Sequence, residues 1–199
     1  MTADTAAAIA PPRSGSATKQ RILAVADELF YAQGIRATSA DRIIDEVGLT
    51  KVTFYRHFRT KGDLVVAYLE SQSAAEQGWM SSIHTPDDPV ASLRALAAGI
   101  GAASCRPGFR GCAFINAAAE FPDPNDPVRA VVDAHRDWIF QKFAAIAAEA
   151  GARDAASTGR QLMLLRDGAM VSGYLNDGTQ LSDWLSAAFE SVVSVAAGA

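Results

Sequence analysis

The feature that most constrains this chain is the stretch from Thr38 to Lys61, where a helical pattern is interrupted once by Gly48. Apolar residues recur at helical spacing before the glycine, and Phe54 and Phe58 lie four residues apart after it. Glycine readily takes the left-handed conformation that ends a helix, and Thr50 is placed to cap the next one. The stretch therefore predicts two short helices joined by a tight turn, a helix-turn-helix.

The second of these helices has an unusually polar outer surface. With Phe54 and Phe58 directed into the core, most of the other side chains can hydrogen-bond to phosphates or base edges. Lys51 and Lys61 also stand at the predicted first positions of two helices, where a cation opposes the helix dipole unless an anion binds there. This pattern favours a polyanionic partner, and two solvated lysines are the alternative. The outer-face residues are Lys51, Val52, Thr53, Tyr55, Arg56 and His57.

Charge is distributed unevenly along the chain. The net charge of −4 over 199 residues argues against nucleic-acid binding if it is taken as uniform. However, the part from Arg13 to Lys61 holds nine Lys and Arg against five Asp and Glu, whereas the part from Gly62 onward holds nine against sixteen. The basic end contains the helix-turn-helix, so the charge supports nucleic acid as its partner.

The segment from about Thr18 to Leu69 resembles the N-terminal domain of the tetracycline-repressor (TetR/AcrR) family of bacterial regulators. Two positions depart from the family pattern. Many members have Gly or Ala where this chain has Val52, and Ala where it has Ile44, so Val52 either contacts a thymine methyl or only packs. The resemblance rests on the ordered set Leu23, Ala26, Leu29, Phe30, Gly34, Thr38, Ile43, Gly48, Thr53, Tyr55, Phe58, Lys61 and Leu64.

The resemblance implies a homodimer that binds a palindromic operator in double-stranded DNA. Tyr55, His57 and Lys61 would bind phosphates, and the remaining outer-face residues would lie nearer the bases. Thr38, which with Asp41 also forms a predicted capping box, is a further candidate for a phosphate contact. The full predicted DNA-binding set is Thr38, Thr50, Lys51, Val52, Thr53, Tyr55, Arg56, His57 and Lys61.

The whole chain predicts an all-α protein of about nine helices, because no strand pattern competes with the helical one. Residues 1–17 are expected to be a disordered arm in which Arg13 could contact DNA, 18–62 the helix-turn-helix domain, and 63–199 a ligand-binding and dimerisation domain. The family's dimer forms through the last two helices, and an intramolecular core is the alternative for their small residues. Without a signal peptide or a membrane-spanning segment, the protein is expected in the cytoplasm.

The resemblance also implies a small-molecule effector, and polar residues within apolar helical stripes mark where it would bind. These residues are expected to line one cavity. A hydrogen-bonded core role for His135 and an arginine partner for Asp167 are the alternatives. Two cysteines without metal-ligand spacing predict neither a metal nor another cofactor. The candidate ligand-binding residues are Cys112, Asn116, Glu120, His135, Trp138, Asp167, Met170 and Tyr174.

Cys112 carries a second hypothesis. It follows Arg110 and is predicted to begin a helix, where the dipole and the guanidinium favour the thiolate, with Cys105 as a resolving partner. The Arg-Gly-Cys sequence also resembles family members that respond to electrophiles or oxidants. A small buried hydrophobe is the plain alternative. A further alternative is an enzyme with Cys112, His135 and Asp167 as nucleophile, base and orienter.

The sequence therefore predicts a ligand-responsive transcriptional regulator that is not an enzyme. Its main form is a dimeric repressor released from its operator by a small-molecule inducer. The alternative is a small-molecule or thiol-based electrophile sensor whose DNA-binding head is weak or vestigial.

Overall fold

The computed structural model describes residues 14–176 and 178–198, and these ranges form nine α-helices without a strand. The all-α prediction is confirmed. The helices are α1 (Ser14–Gln33), α2 (Ala40–Val47), α3 (Lys51–His57), α4 (Lys61–Ile83), α5 (Pro89–Ser104), α6 (Ala113–Glu120), α7 (Pro127–Glu149), α8 (Ala155–Leu175) and α9 (Leu181–Ala197).

The first helix begins four residues before the predicted start at Thr18. Residues 14–17 carry no proline, and they form the first turn of α1. Residues 1–13 of the predicted arm, including Arg13, lie outside the described residues.

The helix-turn-helix forms as predicted from local signals. Gly48 ends α2 with φ 72°, in the left-handed region, and its amide bonds to carbonyls of the last turn. Thr50 caps α3 by accepting a hydrogen bond from the amide of Thr53. Phe54 and Phe58 are buried in the core of the N-terminal helices α1–α3, which we call the head, as their spacing predicts.

The predicted capping box of Thr38 and Asp41 is wrong. Ser39 is the N-cap of α2, and its hydroxyl accepts from the amide of Arg42. Thr38 is only 1% exposed, and its hydroxyl donates to the carbonyl of Gly34 at 2.8 Å. The end of α1 therefore occupies the hydroxyl that the local pattern assigned to α2.

The long helix α4 connects the helix-turn-helix to the remaining helices, which we call the body (α5–α9). A complete capping box between Thr60 and Asp63 starts α4. Within the body, α7 packs against α4 and α8, and α9 packs against α5 and α8. The aspartate and proline pairs Asp88–Pro89 and Asp126–Pro127 start α5 and α7, as the two proline-rich breaks predict.

Head and body share one hydrophobic cluster. The buried residues of α1–α4 continue without interruption into α6 and the first turns of α7, through Phe114, Ala117, Val128 and Val132. A second cluster lies farther from the head, between α5, α7, α8 and α9. No helix in the described ranges is long and apolar enough to cross a membrane.

Candidate functional site

The outward face of α3 carries the predicted DNA-binding side chains. Val52 is 77% exposed and Tyr55 is 43% exposed, and Arg56 is also exposed, while Phe54 on the opposite face is fully buried. Tyr55 rests edge-on against the Phe54 ring, with ring centroids 5.2 Å apart. Val52 therefore buries little of its apolar surface within the protomer.

The two helix-starting lysines already have partners. The ammonium group of Lys51 lies 2.9 Å from the carboxylate of Asp41, whose hydrogen bond and charge raise the pKa of Lys51. Solvent screens this exposed pair, so Lys51 can exchange its partner easily. Lys61 turns inward and donates to the carbonyl of Ile35 at 2.5 Å. Burial lowers the pKa of Lys61, and the charge of Glu120 partly opposes this shift.

Two predicted threonine contacts have different outcomes. Thr38 is buried with its hydroxyl bonded to the chain, so a phosphate cannot reach it in this structure. Thr50 remains exposed at the start of α3, with its hydroxyl 3.0 Å from that of Thr53. A DNA contact by Thr50 stays a prediction.

A cavity of about 640 Å³ lies between α1, α4, α5, α6 and α8. Of the eight predicted ligand-binding residues, only Cys112 and Met170 line it. The other residues that line the cavity come from helices whose relative placement the sequence does not reveal, including α1 of the head. The lining residues outside the predicted set include Asp27, Tyr31, Gln72, Glu76, Trp79, Ile100, Phe109, Phe114 and Arg166.

The two remaining predicted residues of α6 serve the structure. Asn116 donates to the carbonyl of Arg110 at 2.9 Å. The carboxylate of Glu120 accepts hydrogen bonds from the backbone amides of Ile35 and Arg36, in the loop between α1 and α2. Both side chains lie beside a separate small cavity of about 40 Å³ and not the large one.

The predicted residues of α7 are also committed to packing. His135 is buried and stacks on Phe114, with ring centroids 3.5 Å apart. Its Nδ1 lies 2.9 Å from the hydroxyl of Ser73, so the core alternative for His135 is the one observed. Trp138 lies beside His135, and the ammonium of Lys142 is 5.7 Å from its ring centroid.

The predicted residues of α8 divide between two sides of the helix. Asp167 pairs with Arg136 at 2.7 Å and with Arg166 at 3.1 Å, as the arginine alternative predicts. Tyr174 is half exposed, with the guanidinium of Arg110 5.9 Å from its ring centroid. The expectation that all eight residues line one cavity is therefore wrong, because six are held by other partners.

The cavity wall contains a buried ionic cluster centred on Arg166, which is 3% exposed. Its guanidinium lies 2.8 Å from Glu76 and 3.3 Å from the sulfur of Cys112. Burial acts to lower the pKa of Arg166, but the charges of Cys112, Glu76 and Asp167 outweigh it and raise the pKa. Arg166 therefore stays charged in the interior and holds α4, α6 and α8 together.

Glu76 is the central carboxylate of this cluster. Its other oxygen lies 3.2 Å from Nε2 of His135. Burial acts to raise the pKa of Glu76, but His135 and Arg166 outweigh this effect and lower it.

The same cluster corrects the local environment predicted for Cys112. The cation beside its sulfur is Arg166, whereas Arg110 donates to the carbonyl of Ala32. His135 contacts Glu76 and Ser73 instead of the thiol, and Asp167 pairs with arginines. The nucleophile, base and orienter of the enzyme reading are therefore not linked to one another.

The outer surface of α8 and α9 is rich in exposed apolar side chains, and between the helices lies an open groove of about 990 Å³. Gly168, Ser172 and Trp184 line this groove. Gly173 instead permits close packing inside the body, since a Cβ there would lie 2.6 Å from the Cβ of Ser104. The small residues of α8 thus serve both the surface and the core. The large exposed apolar residues of the two helices are Leu164, Val171, Tyr174, Leu175, Trp184 and Val195.

Comparison with known proteins decides the family. The family model described as bacterial regulatory proteins of the tetR family matches residues 22–68, which contain α2 and α3. The crystal structure of SCO4454, a TetR-family transcriptional regulator from Streptomyces coelicolor, superposes with a TM-score of 0.86 at 38% identity. That likeness covers 92% of this chain and 97% of SCO4454. The chain belongs to the TetR family.

Other relatives match over less of their sequence or only in fold. The transcriptional regulator AcrR from Shigella flexneri is 35% identical over 81 residues, which is 40% of this chain and 38% of AcrR. The reduced form of NemR from Escherichia coli shares 17% identity with a TM-score of 0.78, over 88% of this chain and 97% of NemR. TetR-family proteins are transcriptional regulators that bind DNA and act as dimers. The resemblance read from the sequence is confirmed.

Proposed function

We propose that this TetR-family protein is a repressor that binds a palindromic operator as a homodimer and is released by a small-molecule inducer. The observation that carries the proposal is the outward face of α3, where Lys51, Val52, Tyr55 and Arg56 stand exposed. An α-helix with such a face fits the major groove, and a two-fold dimer reads half-sites about one turn of DNA apart.

We assign the contacts of α3 and its surroundings by chemistry. Tyr55, His57 and Lys61 bind phosphates, and Lys61 can do so while holding Ile35, because an ammonium group has three donors. The residues nearer the bases are Lys51, Val52, Thr53 and Arg56. The exposed methyl groups of Val52 suit the methyl group of thymine.

The dimer would form through α8 and α9. Contiguous exposed apolar surface on a monomer is typical of a protein–protein interface, and these two helices carry most of the large exposed apolar side chains among the described residues. A second copy covering the groove would bury this surface and set the distance between the two heads.

The inducer would occupy the cavity between α1, α4, α5, α6 and α8. Glu76 and Trp79 place α4 in the cavity wall, and α4 also leads directly from the head. A ligand that binds more tightly when α4 is displaced shifts the separation of the heads, which couples the cavity to DNA binding.

The test is to select bound fragments from random DNA with the purified protein at two salt concentrations. The proposal expects a palindrome whose affinity falls steeply with salt, because phosphate contacts dominate binding. Arg56→Gln should lose the base preference near α3, whereas Arg160→Gln in the body should keep it. Failure to enrich any sequence would contradict the proposed operator binding.

A second candidate function is favoured by the contact between Arg166 and Cys112 at the cavity wall. A guanidinium beside the sulfur stabilises a thiolate, which attacks soft electrophiles. The thiolate would add to the β-carbon of an enone, and a proton would then pass to the α-carbon. Both thiols are free, with Cys105 exposed and Cys112 buried. A resolving role for Cys105 stays a prediction.

Methyl vinyl ketone is a suitable probe for this sensor, in a Cys105→Ser background that removes the exposed thiol. The sensor reading expects one adduct on Cys112 by mass spectrometry, together with loss of operator binding. Cys112→Ser should abolish both effects. An unmodified Cys112, or modification without any effect on DNA binding, would rule this function out.

A further inference from the structure

The body of the protein is hydrogen-bonded to the DNA-binding head at the loop between α1 and α2. Glu120, the last residue of α6, accepts hydrogen bonds from the amides of Ile35 at 2.9 Å and Arg36 at 2.6 Å, one on each carboxylate oxygen. Its backbone carbonyl accepts a third from the side chain of Arg36 at 2.7 Å. A single residue of the body therefore makes three hydrogen bonds to two adjacent residues of the head.

The same loop is held from its other side by the start of α4. Lys61 donates to the carbonyl of Ile35, while the carboxylate of Glu120 accepts from the amide of the same residue. The backbone of Ile35 is therefore held by a cation on one side and an anion on the other. Gly34 permits this arrangement, because its φ of 94° favours glycine and it has no side chain to meet the carboxylate of Glu120. A Cβ there would lie 3.2 Å from the carboxylate of Glu120, and its positive φ would be strained.

The opposite end of α6 is also bonded to the head. The hydroxyl of Tyr31 on α1 donates to the carbonyl of Gly111 at 2.9 Å and accepts from the amide of Arg110 at 2.8 Å. Cys112, the N-cap of α6, lies in the cavity wall. The eight-residue helix thus runs from the cavity to the head loop.

We propose that Glu120 is a positioning residue for DNA binding, which holds the loop before α2 and so fixes the orientation of the head against the body. The proposal rests on the proposed DNA-binding function. Glu120 touches neither the DNA-facing surface of α3 nor the large cavity.

The direct test is hydrogen exchange of the amides of Ile35 and Arg36 in the full-length protein. Glu120→Gln keeps the size of the side chain but loses the charge and one acceptor, so the exchange of both amides should accelerate by about tenfold. Glu120→Ala removes both acceptors and should accelerate it further. Glu149→Gln is the matched control, because that carboxylate lies at the far end of α7 beside His84.

The affinity for operator and for non-specific DNA separates a positioning role of Glu120 from a role in stability alone. In Glu120→Gln the affinity for the selected palindrome should fall about fivefold, because the heads are no longer preorganised at one spacing. Binding to non-specific DNA should not change, since α3 and its charges remain intact. The circular dichroism melting curve should show that the variant is folded.

The exchange and affinity results for the Glu120 variants decide whether this residue holds the loop and whether it positions the head. Unchanged exchange in both Glu120 variants would show that the carboxylate does not hold the loop. Faster exchange with an unchanged ratio of operator to non-specific affinity would show that the contact does not position the head. If the wild-type protein selects no operator, the proposed function itself fails, whereas the exchange result still reports on the loop.

Discussion

A buried arginine joins three helices at one point of this regulator. Arg166 contacts Glu76 of α4 and Cys112 at the start of α6, and it lies next to Asp167 on its own helix. An ionic cluster of this kind stabilises the fold only while every member keeps a partner, because an unpaired buried charge is costly. Glu76 should therefore contribute measurably to the stability of the folded protein.

The pH dependence of stability should reveal the contribution of Glu76. Its pKa is lowered in the folded protein from an ordinary value of 4.5, so the stability it provides is complete above about pH 4.5. That stability is lost as the pH falls through the lower folded pKa. Glu76→Gln should therefore reduce the free energy of unfolding by about 2 kcal/mol at pH 7, and by less at pH 3.

Chemical denaturation at several pH values measures this difference. Glu70→Gln is the control, because Glu70 is an exposed carboxylate on the same helix. A stability difference for Glu76→Gln that stays constant between pH 7 and pH 3 would contradict the assignment.

At the DNA surface, Tyr55 allows a clean test of a phosphate contact. Tyr55→Phe keeps the ring against Phe54 and removes only the hydroxyl, so binding should weaken by about tenfold. The loss should be equal for operator and non-specific DNA, because phosphates carry no sequence information. Fluorescence anisotropy at fixed salt measures it. Unchanged affinity would remove the phosphate role of Tyr55.

Residue roles were predictable from the sequence only where neighbours along the chain decide them. The exposure of Val52 and Tyr55 follows from the helical spacing of Phe54 and Phe58. The role of Thr38 does not, because the carbonyl that takes its hydroxyl belongs to the end of α1. Glu120 was misassigned for the same reason, since its partners lie more than eighty positions away in the sequence.

At the scale of the elements, every helix predicted from periodicity, glycine and proline is present in the described residues. These signals are local, and the chain uses them consistently. Local propensity predicts the wrong start for α1, because Ser14, Gly15 and Ser16 disfavour a helix and yet the helix begins at Ser14. Sequence periodicity therefore predicts where helices form more reliably than where they first begin.

Two glycines should respond to alanine with opposite signs. Gly48 ends α2 with φ 72°, and Gly48→Ala should lower the free energy of unfolding by about 1 kcal/mol. Gly78 lies inside α4 with open space around it, so Gly78→Ala should raise it by about 0.5 kcal/mol through the lower chain entropy of the unfolded state. Urea denaturation of both variants measures the effect, and the same sign for both would contradict the backbone argument.

For the whole molecule, the cavity was the least predictable feature. Periodicity shows which face of a helix is buried, but it does not show which other helix covers that face. Cys112 and Met170 lie in the cavity because α6 and α8 meet there, while Asp27 and Tyr31 join them from the head. The helical architecture thus follows from local patterns, whereas the set of residues that line the cavity depends on how the helices pack.

The assembly of two copies should depend on the exposed apolar surface of α8 and α9. Trp184 is 63% exposed in the protomer, so Trp184→Arg should leave the fold intact while it places a charge in the proposed interface. Analytical ultracentrifugation should then show a monomer, and operator affinity should fall by about a hundredfold, because a single head loses the second half-site. Val52→Glu is the matched control, since it alters another exposed apolar residue, 77% exposed, on α3. It should abolish operator binding and leave the dimer unchanged. A Trp184→Arg protein that sediments as a dimer would place the interface elsewhere on the molecule.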